Sequence, residues 1–104
     1  MSVIKMDESI LGQYLDADKP VILDFWAPWC GPCRIFSPVF DEVAIEFSEV
    51  VFGKINVEEY PELAAKFKIR SIPKICIIKS GEIIAENTGA LDSESLRNFV
   101  KENI

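Results

Sequence analysis

Two cysteines lie three positions apart in the run Trp29-Cys30-Gly31-Pro32-Cys33, and a third, Cys76, stands alone. A Cys-x-x-Cys pair can exchange disulfides with another molecule, supply two ligands to a metal, or lock a turn as a structural bridge. Structural zinc ordinarily takes four Cys or His ligands. This chain has no histidine and only three cysteines, so a metal site within one chain needs a carboxylate or water, and a four-cysteine site needs two chains. A purely structural bridge has little to do, because 104 residues can bury roughly two-thirds of their unfolded surface without a staple. Redox exchange leads, with metal and structural bridge as its rivals.

Exchange requires a thiolate. Cys30 falls where the apolar run Val21 to Ala27 ends and a helical pattern begins. Unpaired amides and the helix dipole put partial positive charge at such a junction, which favours a thiolate. Cys33 follows one helical turn later, so both sulfurs share a side and can bridge. Pro32 suits a first turn, where no amide donor is needed. Gly31 lets the backbone bend and a substrate approach closely. Cys30 is thus expected to hold the more readily ionised, more nucleophilic sulfur.

Asp24 is the other residue with chemical promise, since it sits inside the apolar run before the cysteines. A buried carboxylate is costly while charged, so its pKa should rise unless it stays hydrated. It lies too far upstream to cap the cysteine helix. It is either satisfied by a polar neighbour or positioned beneath that helix as a proton acceptor. Cys76 lies in Lys74-Ile75-Cys76-Ile77-Ile78, where a free cysteine behaves as a small hydrophobe, with a regulatory thiol as the alternative.

The elements that must hold these residues follow from periodicity. Val3 to Met6 predicts a short strand, and Asp7 caps a helix carrying Ile10, Leu11, Tyr14 and Leu15. Val21 to Ala27 predicts a central strand covered on both faces. Ile35, Val39, Val43 and Phe47, with Phe36, Phe40 and Ala44 beside them, predict a long helix with a wide buried face, kinked at Pro38. Val50 to Val57 predicts a strand, and Pro61 starts a short helix with Leu63, Ala64 and Phe67. Lys74 to Lys79 and Glu82 to Glu86 predict two strands joined at Ser80-Gly81, a hairpin signal. Asp92 or Ser93 caps a last helix with Leu96, Phe99, Val100 and Ile104 inward. The order βαβαβαββα implies an α/β fold in which a central mixed sheet carries helices on both faces.

Composition narrows the function classes. Residues 1–104 are expected to form a single domain of ordinary globular composition, 49% hydrophobic and 27% charged. A net charge of −6 argues against nucleic acid or an anionic membrane surface as partner. No apolar run approaches the roughly 18 residues of a membrane span. Met1 to Ile10 carries one lysine, two acids and no long apolar core, so it does not resemble a secretory leader, and a cytoplasmic location is expected. The odd, sparse cysteine set also differs from secreted disulfide scaffolds.

Taken together, Asp24-Phe25-Trp26-Ala27, then Trp29 to Arg34, then Pro38, resembles the central signature of the thioredoxin family. Lys54-Ile55-Asn56, Arg70-Ser71-Ile72-Pro73 and Thr88-Gly89-Ala90-Leu91 fall in that family's order and spacing, so the likeness covers nearly the whole chain. The resemblance implies the three-layer thioredoxin-like fold and a protein-disulfide reductase. Cys30, as the outer, exposed thiol, would attack a target disulfide, and Cys33, as the inner one, would resolve the mixed disulfide. Asp24 would accept or relay the Cys33 proton, with Lys54 tuning its charge. Trp29, Gly31, Pro32, Ile72, Pro73 and Gly89 would line the substrate surface, with a cis peptide at Ile72-Pro73. On its own, Trp29 has a core aromatic as its alternative reading.

The same likeness implies no cofactor beyond the Cys30–Cys33 disulfide, protein disulfides as substrates, an NADPH-dependent thioredoxin reductase as electron donor, and a monomer. An oxidase or isomerase of the same fold and a thioredoxin-like interaction subunit are the alternatives. Gly31-Pro32 between the cysteines is the reductase-like pair. Lys74 stands where the family usually has a small threonine, Ser71 replaces a frequent glycine, and Pro28 precedes Trp29 at a variable position. Lys74 is therefore expected to place a cation near the cysteines and to help stabilise the Cys30 thiolate.

Overall fold

The structure, a computed structural model, describes residues 2–104; Met1, the first residue of the segment considered above as a leader, lies outside it. Val21–Trp26 forms the strand β2, whose first five residues are all buried. A run of large apolar residues broken only by Asp24 has no polar face to offer water, so it sits at the centre of a sheet. Around it the chain places β1 (Val3–Lys5), α1 (Glu8–Leu15), α2 (Gly31–Ala44), β3 (Val51–Asn56), α3 (Pro61–Lys66), β4 (Lys74–Lys79), β5 (Glu82–Thr88) and α4 (Ser93–Asn103). The expected order βαβαβαββα is the observed one.

The five strands lie in the order β1-β3-β2-β4-β5. β1 and β2 both run parallel to β3, while β4 runs antiparallel to β2 and β5 antiparallel to β4. The sheet is mixed, as expected, and β2 is where its parallel and antiparallel halves meet. Two consequences follow at the carboxyl end of β2. Asp24 lies opposite Lys54 of β3 and Ile75 of β4. The amino end of β4, just after Pro73, comes alongside Phe25.

Alternation along the strands divides the core into two layers. Ile22, Phe52, Ile75 and Ile77 pack against Phe36, Phe40 and Val43 of α2 and Leu96 and Val100 of α4. Val21, Leu23, Phe25, Ile55, Cys76 and Ile78 pack against Leu11 of α1 and Leu63 of α3. Phe40 anchors α2 to the sheet, its ring 5.1 Å from that of Phe52 and 5.9 Å from that of Phe36. Burying each such ring is worth roughly 1.5–3 kcal/mol, so the helix carrying Cys33 has little freedom to tilt. Arg97 of α4 clamps Glu46, just beyond α2, through two hydrogen bonds of 2.7 and 2.8 Å.

Local signals account for most boundaries. The Asp7 carboxylate accepts from the Ile10 amide at 2.8 Å and starts α1. Of the two candidates for α4, Asp92 is the cap, accepting from Ser95 at 2.7 Å. Ser80 and Gly81 both have positive φ, 54° and 79°, the pattern of a tight two-residue hairpin turn.

Several details differ from expectation, one being Ile104, which is expected on the inner side of the last helix but lies just past its end and is 43% exposed. The helix after the cysteines stops at Ala44, and Phe47 is buried from the turn that follows. Ile35, assigned to the buried face, is 72% exposed; Phe36, Phe40 and Val43 define the inward stripe, and Ile35 lies about 100° away from Phe36 on the helix. β5 runs on to Thr88 rather than stopping at Glu86. Pro38 lies inside α2, and the helix continues through it.

Gly53 shows a packing constraint that no local signal announces. A Cβ placed there would stand 2.6 Å from Met6 Cε and 2.8 Å from Met6 Cγ. Met6 is buried in the layer beneath, so β3 can approach it only as glycine.

Candidate active site

The cysteines sit where β2 hands over to α2. Cys30 is the N-cap of α2, with extended backbone (φ −88°, ψ 111°), and its sulfur accepts a hydrogen bond from the Cys33 amide at 3.2 Å. That amide is one of the donors a helix start leaves free. A sulfur receiving it, at the positive end of a 14-residue helix, is stabilised more as thiolate than as thiol. The two cysteines form a disulfide with Cα atoms 5.3 Å apart, inside the range that a bridge requires.

Burial makes the pair unequal, but less so than expected. Cys30 retains 6% of its surface and Cys33 2%, so Cys30 is the outer sulfur yet is not an exposed side chain. Ala27, Trp26, Val57 and Ile72 pack around the pair. What stands in solvent is its neighbour Trp29, 68% exposed, so the core-aromatic alternative for Trp29 falls. Gly31 and Pro32 are exposed as well, and a Cβ on Gly31 would meet no atom within 4 Å. Glycine there leaves open space on the outer side of the disulfide.

The loop before β4 closes one side of the site. The Ile72-Pro73 peptide is cis, as the resemblance implies. The Ile72 carbonyl lies 3.9 Å from the Cys30 sulfur. Pro73 is buried, Ile72 half-buried, and the Pro73 carbonyl accepts from the Gly89 amide at 2.8 Å. Gly89 adopts φ 101°, a conformation that favours glycine. Trp29, Gly31, Pro32 and Ile72 thus border the sulfurs directly or through the chain, while Gly89 backs the proline loop.

Asp24 lies on the sheet face covered by α2, by the same alternation that sends Ile22 there and Leu23 and Phe25 to the other face. It is 1% exposed, and its Oδ1 has no hydrogen-bond partner among the described protein groups. Burial pushes its pKa up to about 7; the Lys54 ammonium opposes that rise and the Asp41 carboxylate adds to it.

Lys54 reaches across from β3 to α2. Its ammonium hydrogen-bonds the Ser37 hydroxyl and lies 3.4 Å from Asp41 Oδ1. A cleft of about 350 Å³ opens here, lined by Trp26, Cys33, Arg34, Ser37, Pro38, Asp41 and Lys54. Ser37 and Asp41 were not singled out from the sequence. Their signal was present, because Cys33, Ser37 and Asp41 recur every four residues and so share one helix face. Arg34 was also missed: its guanidinium bonds the Pro28 carbonyl at 2.9 and 3.1 Å and ties the helix to the loop bearing Trp29.

Lys74 has an acidic partner of its own. Its ammonium pairs with Glu86 of β5 at 3.4 Å, and along β4 it shares the face of Cys76, away from α2. Cys76 is buried, and burial pushes its thiol up to about 12. It is the small hydrophobe of the two alternatives. Among the described residues, no cluster of His, Cys, Asp and Glu could hold a metal ion, and no helix is long and apolar enough to cross a membrane.

Known proteins agree with this geometry. The thioredoxin family model matches residues 2–102. Thioredoxin of Haemophilus influenzae is 45% identical over 91 residues, covering 86% of this chain and 85% of that one. Thioredoxin of Porphyra purpurea is 43% identical over 106 residues, covering 100% and 99%, and that of Chlorobaculum thiosulfatiphilum 38% over 99 residues, covering 94% and 92%. A disulfide at a helix N-terminus, held in this mixed sheet and matched along the whole chain, leaves one assignment: the chain belongs to the thioredoxin family and is a dithiol–disulfide oxidoreductase acting on protein disulfides.

Proposed function

We propose that the chain, working as one domain and as a monomer, reduces target disulfides with Cys30 as nucleophile and Cys33 as resolving thiol. The observation that carries this is the Cys33 amide donating to the Cys30 sulfur at the start of α2. In the reduced protein the Cys30 thiolate attacks one sulfur of the target disulfide. That S–S bond breaks, a Cys30–target bond forms, and the departing target sulfur takes a proton. Cys33 then loses its proton, attacks Cys30, and expels the second target thiolate. Two electrons have passed to the target, and Cys30–Cys33 is the oxidised product.

Asp24 is the acceptor for the Cys33 proton, through a bridging water, because a carboxyl group titrating near 7 can take a proton and return it at neutral pH. Lys54 tunes that carboxyl through its charge. Trp29, Gly31, Pro32, Ile72, Pro73 and Gly89 form the docking surface, on which an extended target segment lies against Trp29 and the Ile72-Pro73 loop. An NADPH-dependent thioredoxin reductase recycles the pair in the cytoplasm. Exposure of Trp29, Gly31 and Pro32 beside the sulfurs supports this surface.

Cys33→Ser is the test. It should accumulate Cys30-linked mixed disulfides with protein targets that dithiothreitol releases, and absence of such adducts sinks the reading. The equilibrium reduction potential of Cys30–Cys33 against glutathione separates the alternatives. A strongly reducing value supports a reductase, and one near that of secretory oxidants overturns it.

A further inference from the structure

Lys54 has two partners on α2 that differ in kind and in position. Ser37 is one turn beyond Cys33 and Asp41 is two. The hydroxyl of Ser37 is neutral and half-buried, whereas the Asp41 side chain is charged and 57% exposed. Both compete for one ammonium in the cleft that also contains Cys33 and Trp26. Movement of that ammonium toward Ser37 brings it to the cysteine end of the cleft, and movement toward Asp41 takes it to the solvent end.

We propose that Ser37 and Asp41 are positioning residues that together set where the Lys54 ammonium rests along α2, and hence how strongly it pulls on the buried Asp24 carboxyl. The consequence for the Cys33 proton rests on the proposed role of Asp24 as acceptor. Few other charges bear on Asp24. Lys54 faces it from β3 and Asp41 from α2, while Ile75 and Ile77 of β4 on this face are apolar. Cys33 shares the cleft with Lys54 but is held in the disulfide, and the guanidinium of Arg34 is occupied by the Pro28 carbonyl. Asp41 acts twice, since its negative charge opposes ionisation of Asp24 directly and offsets the ammonium that favours it.

The two residues should therefore shift Asp24 in opposite directions when removed. In Ser37→Ala the ammonium relaxes toward Asp41, and the Asp24 titration midpoint rises. In Asp41→Asn the repulsion disappears and the full Lys54 charge bears on Asp24, so the midpoint falls. Each change should be about half a pH unit, the size expected of one charge relocated or removed several ångströms away in a partly wet site. The readout is the carboxyl carbon resonance of Asp24 followed by NMR over pH 4–10. It is measured in the disulfide form, where no Cys33 thiol couples to the titration.

Lys54→Met supplies the decisive background. With the ammonium gone, Ser37→Ala should no longer move Asp24, and Asp41→Asn should retain only its direct effect. Opposite shifts in the parent and no Ser37 effect in Lys54→Met support the proposal. Shifts of the same sign, no shift, or an unchanged Ser37 effect without Lys54 overturn it. Stopped-flow measurement of mixed-disulfide resolution against pH then tests the underlying reading separately. If Asp24 moves as stated while the pH dependence of resolution stays put, the positioning role stands and Asp24 is not the acceptor.

Discussion

Each face of the sheet buries one titratable group, and the same burial leaves the two fit for different things. On the face under α2, Asp24 is enclosed beside a polar line of Lys54, Ser37 and Asp41 and comes to rest near 7. On the face over α1 and α3, Cys76 is enclosed among Leu23, Phe25, Ile55 and Ile78 and is driven to about 12. Desolvation is the largest cause in both. Each also has a lysine that opposes the rise and an acid that adds to it, Lys54 and Asp41 for Asp24 and Lys74 and Glu86 for Cys76. The outcome differs because a carboxyl starts from 3.8 and a thiol from 9.0. Burial thus leaves Asp24 able to exchange protons near physiological pH and leaves Cys76 a neutral, enclosed thiol.

The largest test of that contrast compares the cysteines themselves. Cys30→Ser should lower turnover of a protein disulfide by at least about a thousandfold, while Cys76→Ala should change it less than about twofold, measured side by side. A comparable loss in Cys76→Ala would break the comparison.

Next in size is the effect of Asp24 on stability. Its folded pKa, about 7, is raised above the unfolded value of 3.8. Between those values the native state binds more protons than the unfolded chain, so stability falls as pH rises through the window and stays low above it. Asp24→Ala removes that penalty. It should stabilise the oxidised protein by roughly 2–4 kcal/mol at pH 8 and by little at pH 4, read from denaturant unfolding at the two pH values. An equal gain at both would mean that charge burial is not the cause.

Gly53 tests the opposite face. Gly53→Ala pushes a methyl into Met6 and should cost about 1–3 kcal/mol with activity retained, by the same unfolding measurement; a neutral result would show that this layer yields easily. Smallest of all, Lys74→Thr should leave the pH dependence of Cys30 alkylation nearly unchanged, because the ammonium is spent on Glu86 across the face away from α2. A clear shift would restore the role expected for it.

Much of this was legible before any coordinates. The cysteine pair, Asp24 and the succession of elements along the chain are local features, each carried by a short run whose periodicity or turn chemistry speaks for itself. Ile35 misled because a four-residue spacing with Val39 and Val43 mimics a buried stripe, whereas the phase of a helix is set by its largest inward side chains, here Phe36 and Phe40. Ser37 and Asp41 carried a visible spacing from Cys33 but no partner, since Lys54 becomes their neighbour only through the register of β3 on β2. Gly53 could not be read at all. Its constraint comes from Met6, 47 positions earlier in the chain.

The antiparallel course of β4 has a practical consequence for anyone who would build on this scaffold. Phe25 pairs with Lys74 and Val21 with Ile78, so the Ser80-Gly81 tip emerges beside the start of β2, at the far end of the sheet from the sulfurs. A Cβ on Gly81 would meet nothing within 4 Å. Extending a surface loop costs only about 0.6 kcal/mol per doubling of its length. A guest peptide spliced into this hairpin would be carried on a reducing enzyme without entering the path of its substrates.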